Sequence, residues 1–143
     1  MTSLVVDSSV VIKWFDAEPY ATEAERILLA YEQGTLTLLA PDLLLAEVGN
    51  IIWKKHTLLQ RWSATESQEA LANFQALSFT LISTSTLLDD AFHLAVTQQR
   101  TVYDSLYLAL SPRERCPFVT ADERFVNAVH STFPQVVWIA NWP

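Results

Sequence analysis

Asp7 closes the apolar run Leu4-Val5-Val6 and stands before Val10 to Phe15, which reads as a short helix. Asp122 repeats the arrangement: it lies one residue beyond Phe118-Val119-Thr120 and starts another helical stretch. In open α/β sheets, ligands bind at the carboxyl ends of the strands. Two more acids sit on mostly apolar helices. Glu47 comes four residues after Leu43 and four before Ile51, so it points with the core-facing stripe. Asp104 lies near the start of Thr101-Val102-Tyr103-Asp104-Ser105-Leu106-Tyr107-Leu108-Ala109-Leu110, a helix apolar nearly all round. Carboxylates brought together repel, and a charge on an apolar face is costly unless it is paired. Cations relieve both, and an oxygen-only donor set suits hard Mg²⁺ or Mn²⁺.

Each acid also has an ordinary structural role open to it. Asp7 and Asp122 can cap the helices that follow them. Asp104 benefits from the positive end of its helix. Glu47 could face a buried arginine. Ser8 and Ser9 are good N-cap residues and possible hydroxyl contacts, as is Thr120 at its strand end. Asn50, one turn after Glu47, could hold a water or a substrate oxygen. Glu123 points about 100° away from Asp122 and is at best an auxiliary ligand. Tyr103 and Tyr107 read as core and packing residues.

Strands and helices alternate along the chain. Apolar runs at 36–40, 79–83 and 136–139 read as further strands, the first closed by Pro41. Tyr20 to Gln33 is periodic in Ala24, Ile27, Leu28 and Tyr31, with Gly34 as its C′ residue. Asp42 is placed to cap a helix running to about His56. Ser63 or Thr65 starts a helix with Ala70, Leu71, Phe74 and Leu77 inward. Thr86 opens one with Leu88, Ala91, Leu94 and Ala95 inward. Pro112 is expected to end the helix carrying Asp104, and the Asp122 helix to run to about Ser131. The alternation favours a parallel sheet with helices on both faces. No linker or repeat divides residues 1–143, so a single domain is expected.

Composition narrows the function. Two glycines cannot build a glycine-rich phosphate loop. Cys116 is the only cysteine, which excludes an internal disulfide and a cysteine zinc cluster and fits a reducing cytosol. No signal peptide or membrane span is evident. A net charge of −7 argues against a generic basic nucleic-acid binder. The four singled-out acids make up more than half of that excess, so much of the acidity belongs to one candidate site.

The motifs resemble those of the PIN-domain ribonucleases, most closely the VapC-type toxins of bacterial toxin–antitoxin pairs. Leu4-Val5-Val6-Asp7-Ser8-Ser9 looks like the opening motif. Ala40-Pro41 with Glu47 and Asn50 looks like the second. Tyr103-Asp104-Ser105-Leu106-Tyr107-Leu108-Ala109-Leu110 is similar to the third, and Val119-Thr120-Ala121-Asp122-Glu123-Arg124-Phe125 to the fourth. The resemblance covers essentially the whole chain. It implies a five-stranded parallel sheet in the order 3-2-1-4-5, with Asp7 and Asp122 meeting at the switch point between strands 1 and 4. It also implies RNA cleavage, a cognate antitoxin and a homodimer.

The mechanism to expect is hydrolysis with one or two Mg²⁺ or Mn²⁺ ions held by Asp7, Glu47, Asp104 and Asp122, one carboxylate doubling as base. His56, His93 and His130 are scattered and none sits in a nucleophile motif. Arg100, Arg113, Arg115 and Arg124 could meet phosphates or be ordinary surface charge. Two rivals differ in class. An aspartate-based phosphoryl-transfer domain would want a lysine near the phosphoryl group, and the last lysine is Lys55. A catalytically silent PIN-like binding module would not need the acidic set.

Overall fold

A computed structural model describes residues 2–143. Five strands form one parallel sheet: β1 (Thr2–Val6), β2 (Leu36–Pro41), β3 (Thr80–Ile82), β4 (Phe118–Thr120) and β5 (Val136–Trp138), in the order β3-β2-β1-β4-β5. Leu4, Val5 and Val6 are all fully buried. Successive strand side chains point to opposite faces, so β1 is covered on both. Seven α-helices make the crossovers: α1 (Ser8–Val11), α2 (Ala21–Glu32), α3 (Leu43–Trp53), α4 (Ala64–Gln75), α5 (Thr84–Gln98), α6 (Val102–Glu114) and α7 (Glu123–Val129). The sheet order and class are those expected from the motifs. In β1 and β4, Val5 pairs with Phe118 and Val6 with Val119. That register sets Asp7 beside Thr120.

Helix α6 is the central pillar. Ser105 through Ser111 are buried without interruption, and the helix packs on β1, β2, β4 and α5. Tyr107, Leu108 and Leu110 expose 2% or less, each worth roughly 1.5–3 kcal/mol of burial. Its ends are well defined. Thr101 Oγ1 accepts from the Asp104 amide at 3.0 Å, and Arg115 closes the helix in the left-handed region at φ 54°.

Several boundaries differ from expectation. Pro112 lies inside the last turn of α6, because a proline there forfeits one hydrogen bond while its φ still suits the helix. The first helix is capped by Asp7 rather than by Ser8 or Ser9, so it starts earlier; after Val11 it tightens into a 3₁₀ turn over Ile12–Trp14. Asp42 occupies the N-cap position of α3 without capping it: its carboxylate accepts from the Thr84 amide at 3.0 Å and from the Thr84 hydroxyl. These bonds hold Asp42 below the usual carboxylate range. Beyond Trp53, α3 widens into a π turn over Lys54–Leu58. Helix α5 starts at Thr84, capped by Ser83, and α7 ends at Val129. Of the two candidate starts, Ser63 caps α4 and forms a full capping box with Glu66, and Gly34 takes φ 75° after α2, as a C′ residue should.

Burial corrects three assignments. Leu71, Leu88 and Tyr103 are exposed, at 39%, 47% and 64%. Helices α4 and α5 each bury a narrow face, Ala70 with Phe74 and Leu87 with Ala91. The next residue along a helix turns about 100° away from such a face.

Candidate active site

Asp7 leaves β1 at its carboxyl end and turns its carboxylate back over α1. Oδ1 accepts from the Ser9 hydroxyl at 2.5 Å and from the Ser9 and Val10 amides at 3.1 and 3.3 Å. Oδ2 accepts from Thr120 Oγ1 at 2.5 Å. The capping role is therefore real, but it is only part of the account. Capping bonds lower a carboxyl pKa, whereas Asp7 is raised to about 6. Burial is the main cause. The Ser9, Thr120 and Val10 bonds oppose it without cancelling it, and the nearby Glu47 charge adds to it.

Ser9 and Thr120 knit the two strand ends together. Ser9 Oγ accepts from the Ala121 amide at 3.0 Å and lies 3.5 Å from Thr120 Oγ1. Thr120, only 1% exposed, also accepts from the Asp122 amide at 3.2 Å. Asp122 Oδ1 in turn caps α7 through the Phe125 amide at 3.0 Å. The switch point between β1 and β4 thus carries both strand-end aspartates on one hydrogen-bonded frame.

Glu47 and Asp104 approach from α3 and α6. Glu47 is half-buried on the stripe of Leu44, Val48 and Ile52. Burial raises its pKa, the Tyr107 hydroxyl offsets this in part, and the Asp104 charge adds to the rise. Asp104 is raised by partial desolvation and by Asp122, against its Thr101 bond and Arg100. Because Asp104 is an exposed residue, water screens much of that effect. The charges form a chain: Glu47 acts on Asp7, Asp104 on Glu47 and Asp122 on Asp104. All four expected acids face one edge of the sheet.

The supporting residues divide. Ser9 and Thr120 join the frame directly. Ser8 opens α1, and Asn50 is exposed one turn beyond Glu47. Glu123 is exposed beside Asp122. Tyr107 is the residue that sequence reading missed. Its ring is buried and stacked on Phe118 at 5.9 Å, as a packing residue should be, yet its hydroxyl donates to Glu47 Oε1 at 2.5 Å. Burial and that bond push its phenol far above the ordinary value, so it remains a proton donor. Its spacing of three residues from Asp104, one helical turn, was the available signal.

The donor set suits a hard divalent cation in kind: oxygen ligands only, with mutual repulsion that a cation would relieve. Among the described residues no three His, Cys, Asp or Glu side chains stand close enough to ligate one ion as they are.

The family model for the PIN domain matches residues 4–130. The chain belongs to the PIN-domain family. A curated relative, Ribonuclease VapC3 of Pyrobaculum aerophilum, is 34% identical over 138 residues, covering 94% of this chain and 97% of its own. The resemblance to VapC-type members drawn from the four motifs is thereby upheld. Two crystal structures share the fold. PAE2754 of Pyrobaculum aerophilum superposes with a TM-score of 0.63 at 20% identity, over 97% of this chain and 92% of its own. Mycobacterium tuberculosis VapC20, described as a sarcin–ricin-loop-cleaving toxin, gives 0.62 at 15% identity, over 87% and 94%.

Proposed function

We propose that this PIN-domain protein is a divalent-metal-dependent endoribonuclease, the toxin of a VapC-type toxin–antitoxin pair, with Asp7, Glu47, Asp104 and Asp122 as its catalytic acids. The observation that carries the assignment is geometric: Asp7 and Asp122 share the Ser9–Thr120 hydrogen-bonded frame at the β1–β4 switch point, and the Tyr107 hydroxyl ties Glu47 of α3 to the helix that carries Asp104. A structural set of acids would be interleaved with bases; here Arg100, beside Asp104, is the basic residue that offsets it.

The four carboxylates would hold one or two Mg²⁺ or Mn²⁺ ions. Bound there, such an ion lowers the pKa of a water and neutralises charge on the scissile phosphate and its leaving oxygen. The protein's own part is orientation. Ser9 and Thr120 lock both oxygens of Asp7. Asp122 is fixed by the first turn of α7. Asp104, open to solvent at the start of α6, would be the carboxylate to take the proton from an attacking water in this reading. Exposed Asp104 and Asp122 leave the edge accessible to a long polymer.

The proposed homodimer would bury the outer face of α5. Leu88, Phe92 and Val96 follow one another at four-residue spacing and expose 47%, 61% and 62%. They form an apolar stripe of the kind that a homodimer covers. The cognate antitoxin is the heterologous partner. No described helix is long and apolar enough to cross a membrane, and the proposed place of action is the cytoplasm, with the RNA.

Product analysis tests the reading. Attack by water at phosphorus leaves a 5′-phosphate and a 3′-hydroxyl, and EDTA stops it. A 2′,3′-cyclic phosphate that survives EDTA would replace it with metal-free chemistry. No cleavage, together with intact partner binding, would favour the silent binding module.

A further inference from the structure

We infer that Tyr107 is a positioning residue of the acid cluster, fixing the Glu47 carboxylate through its hydroxyl so that Glu47 and Asp104 face the same ion. The inference rests on the metal-site reading above and adds a residue to it. Three observations converge on Tyr107. Its side chain is 2% exposed, yet its one polar atom is spent on a carboxylate 60 residues away, at 2.5 Å. Its ring is packed in place: it stacks on Phe118 at 5.9 Å and 17°, and Phe118 meets Phe125 edge-on, also at 5.9 Å. It stands one turn after Asp104 on the same helix, so the two share a face of α6.

The hydroxyl therefore ties α3 to α6 at the point where each contributes an acid. The Tyr107 bond takes one acceptor site on Oε1 and so sets the orientation in which the remaining lone pairs of the Glu47 carboxylate meet a ligand. Ligating carboxylates are commonly held by such outer partners, whose loss costs roughly 10–100-fold in metal affinity. Tyr107 acts only through Glu47, and that sets the test.

Free Mn²⁺ is measured by its electron paramagnetic resonance signal while it is titrated into wild type, Tyr107→Phe, Glu47→Gln and the double variant. Tyr107→Phe keeps the ring and its stack and removes one oxygen. Its Mn²⁺ Kd should rise about tenfold, with an unchanged cooperative melt in EDTA. On RNA, kcat at limiting Mn²⁺ should fall while KM stays constant. Glu47→Gln should weaken Mn²⁺ binding, and adding Tyr107→Phe to it should weaken binding no further. An unchanged Kd in Tyr107→Phe overturns the inference, as does a fully additive loss in the double variant. Loss of the cooperative melt in Tyr107→Phe would make the bond structural and overturn it equally. Wild type that binds no Mn²⁺ brings down the metal site itself, an outcome distinct from the others.

Discussion

Two clusters of charge lie on this small domain, and they are built on opposite principles. At the carboxyl edge of the sheet, acids face acids, and burial and mutual repulsion lift Asp7 to about 6. Behind α1, carboxylates are matched with bases. Glu18 accepts from Lys13 and from Lys55, each at 3.2 Å, and Asp16 accepts from Lys55 at 2.5 Å and from Arg61 at 3.1 Å. Lys13 and Lys55 are 8% and 5% exposed, and the Lys55 ammonium also lies 5.6 Å from the Trp62 ring centroid. Burial alone would raise Asp16, but the Lys55 bond and charge, with Arg61, outweigh it and hold Asp16 below the usual range. A balanced cluster stabilises a fold; an unbalanced one is retained at the expense of stability and points to function.

The largest difference should appear in turnover. Asp7→Asn and Asp104→Asn are expected to lower kcat on RNA by roughly 10³-fold, the equivalent of about 4 kcal/mol, with an intact circular dichroism spectrum. Lys55→Met should leave turnover per folded molecule close to wild type and instead reduce stability by about 2 kcal/mol, since it removes the buried ammonium that Asp16 and Glu18 share and leaves them only Arg61 and Lys13. Urea unfolding beside active-site titration separates the two effects. An inactive but stable Lys55→Met would erase the contrast between the clusters.

The pH dependence of the two clusters should be opposite in sign. Asp7 has a folded pKa of about 6, above the unfolded value of about 4. Its ionisation therefore opposes folding: the cost is absent below about pH 4, grows to about pH 6 and is full beyond it. Asp7→Asn should accordingly raise metal-free stability at pH 7 by about 2 kcal/mol and leave it unchanged at pH 4. Asp16 is depressed, so its contribution is present above its unfolded value and lost as pH falls through the lower folded one. Asp16→Asn should thus destabilise at pH 7 and matter little in strong acid. Chemical unfolding across this range in EDTA checks both. Asp16 is no neutral control for catalysis, although its place outside the four motifs suggests one; its ion pairs disqualify it. Asp89 and Asp90, exposed on α5, are suitable. Their Asn variants should stay within about 0.5 kcal/mol and keep full activity.

The sequence showed one cluster more readily than the other. Asp7 and Asp122 end apolar runs, and Glu47 interrupts an apolar stripe, so each is conspicuous against the local period. Lys13, Lys55, Asp16 and Glu18 look like ordinary surface charge. Their burial depends on a contact between residues 39 apart and on a π turn that no periodicity announces. Tyr107 was legible as a core residue because its ring follows the apolar pattern of α6. Its hydroxyl was not, since where the tip of an amphipathic side chain ends depends on the neighbouring helix. The burial of α4 and α5 was misjudged at Leu71 and Leu88 for a related reason: an apolar residue beside the buried stripe has the composition of the core without its direction.

The central claim is that four acids from β1, α3, α6 and the start of α7 act as one divalent-metal site. The most direct measurement is a set of thermal melts at pH 7, first in EDTA and then in Mn²⁺, for wild type, Asp7→Asn, Asp104→Asn and Asp122→Asn. At a hundredfold excess over Kd, Mn²⁺ should stabilise wild type by about 2.7 kcal/mol and each variant by clearly less, so that variants at least as stable as wild type in EDTA fall below it in Mn²⁺. Equal shifts in all four proteins would contradict a shared site.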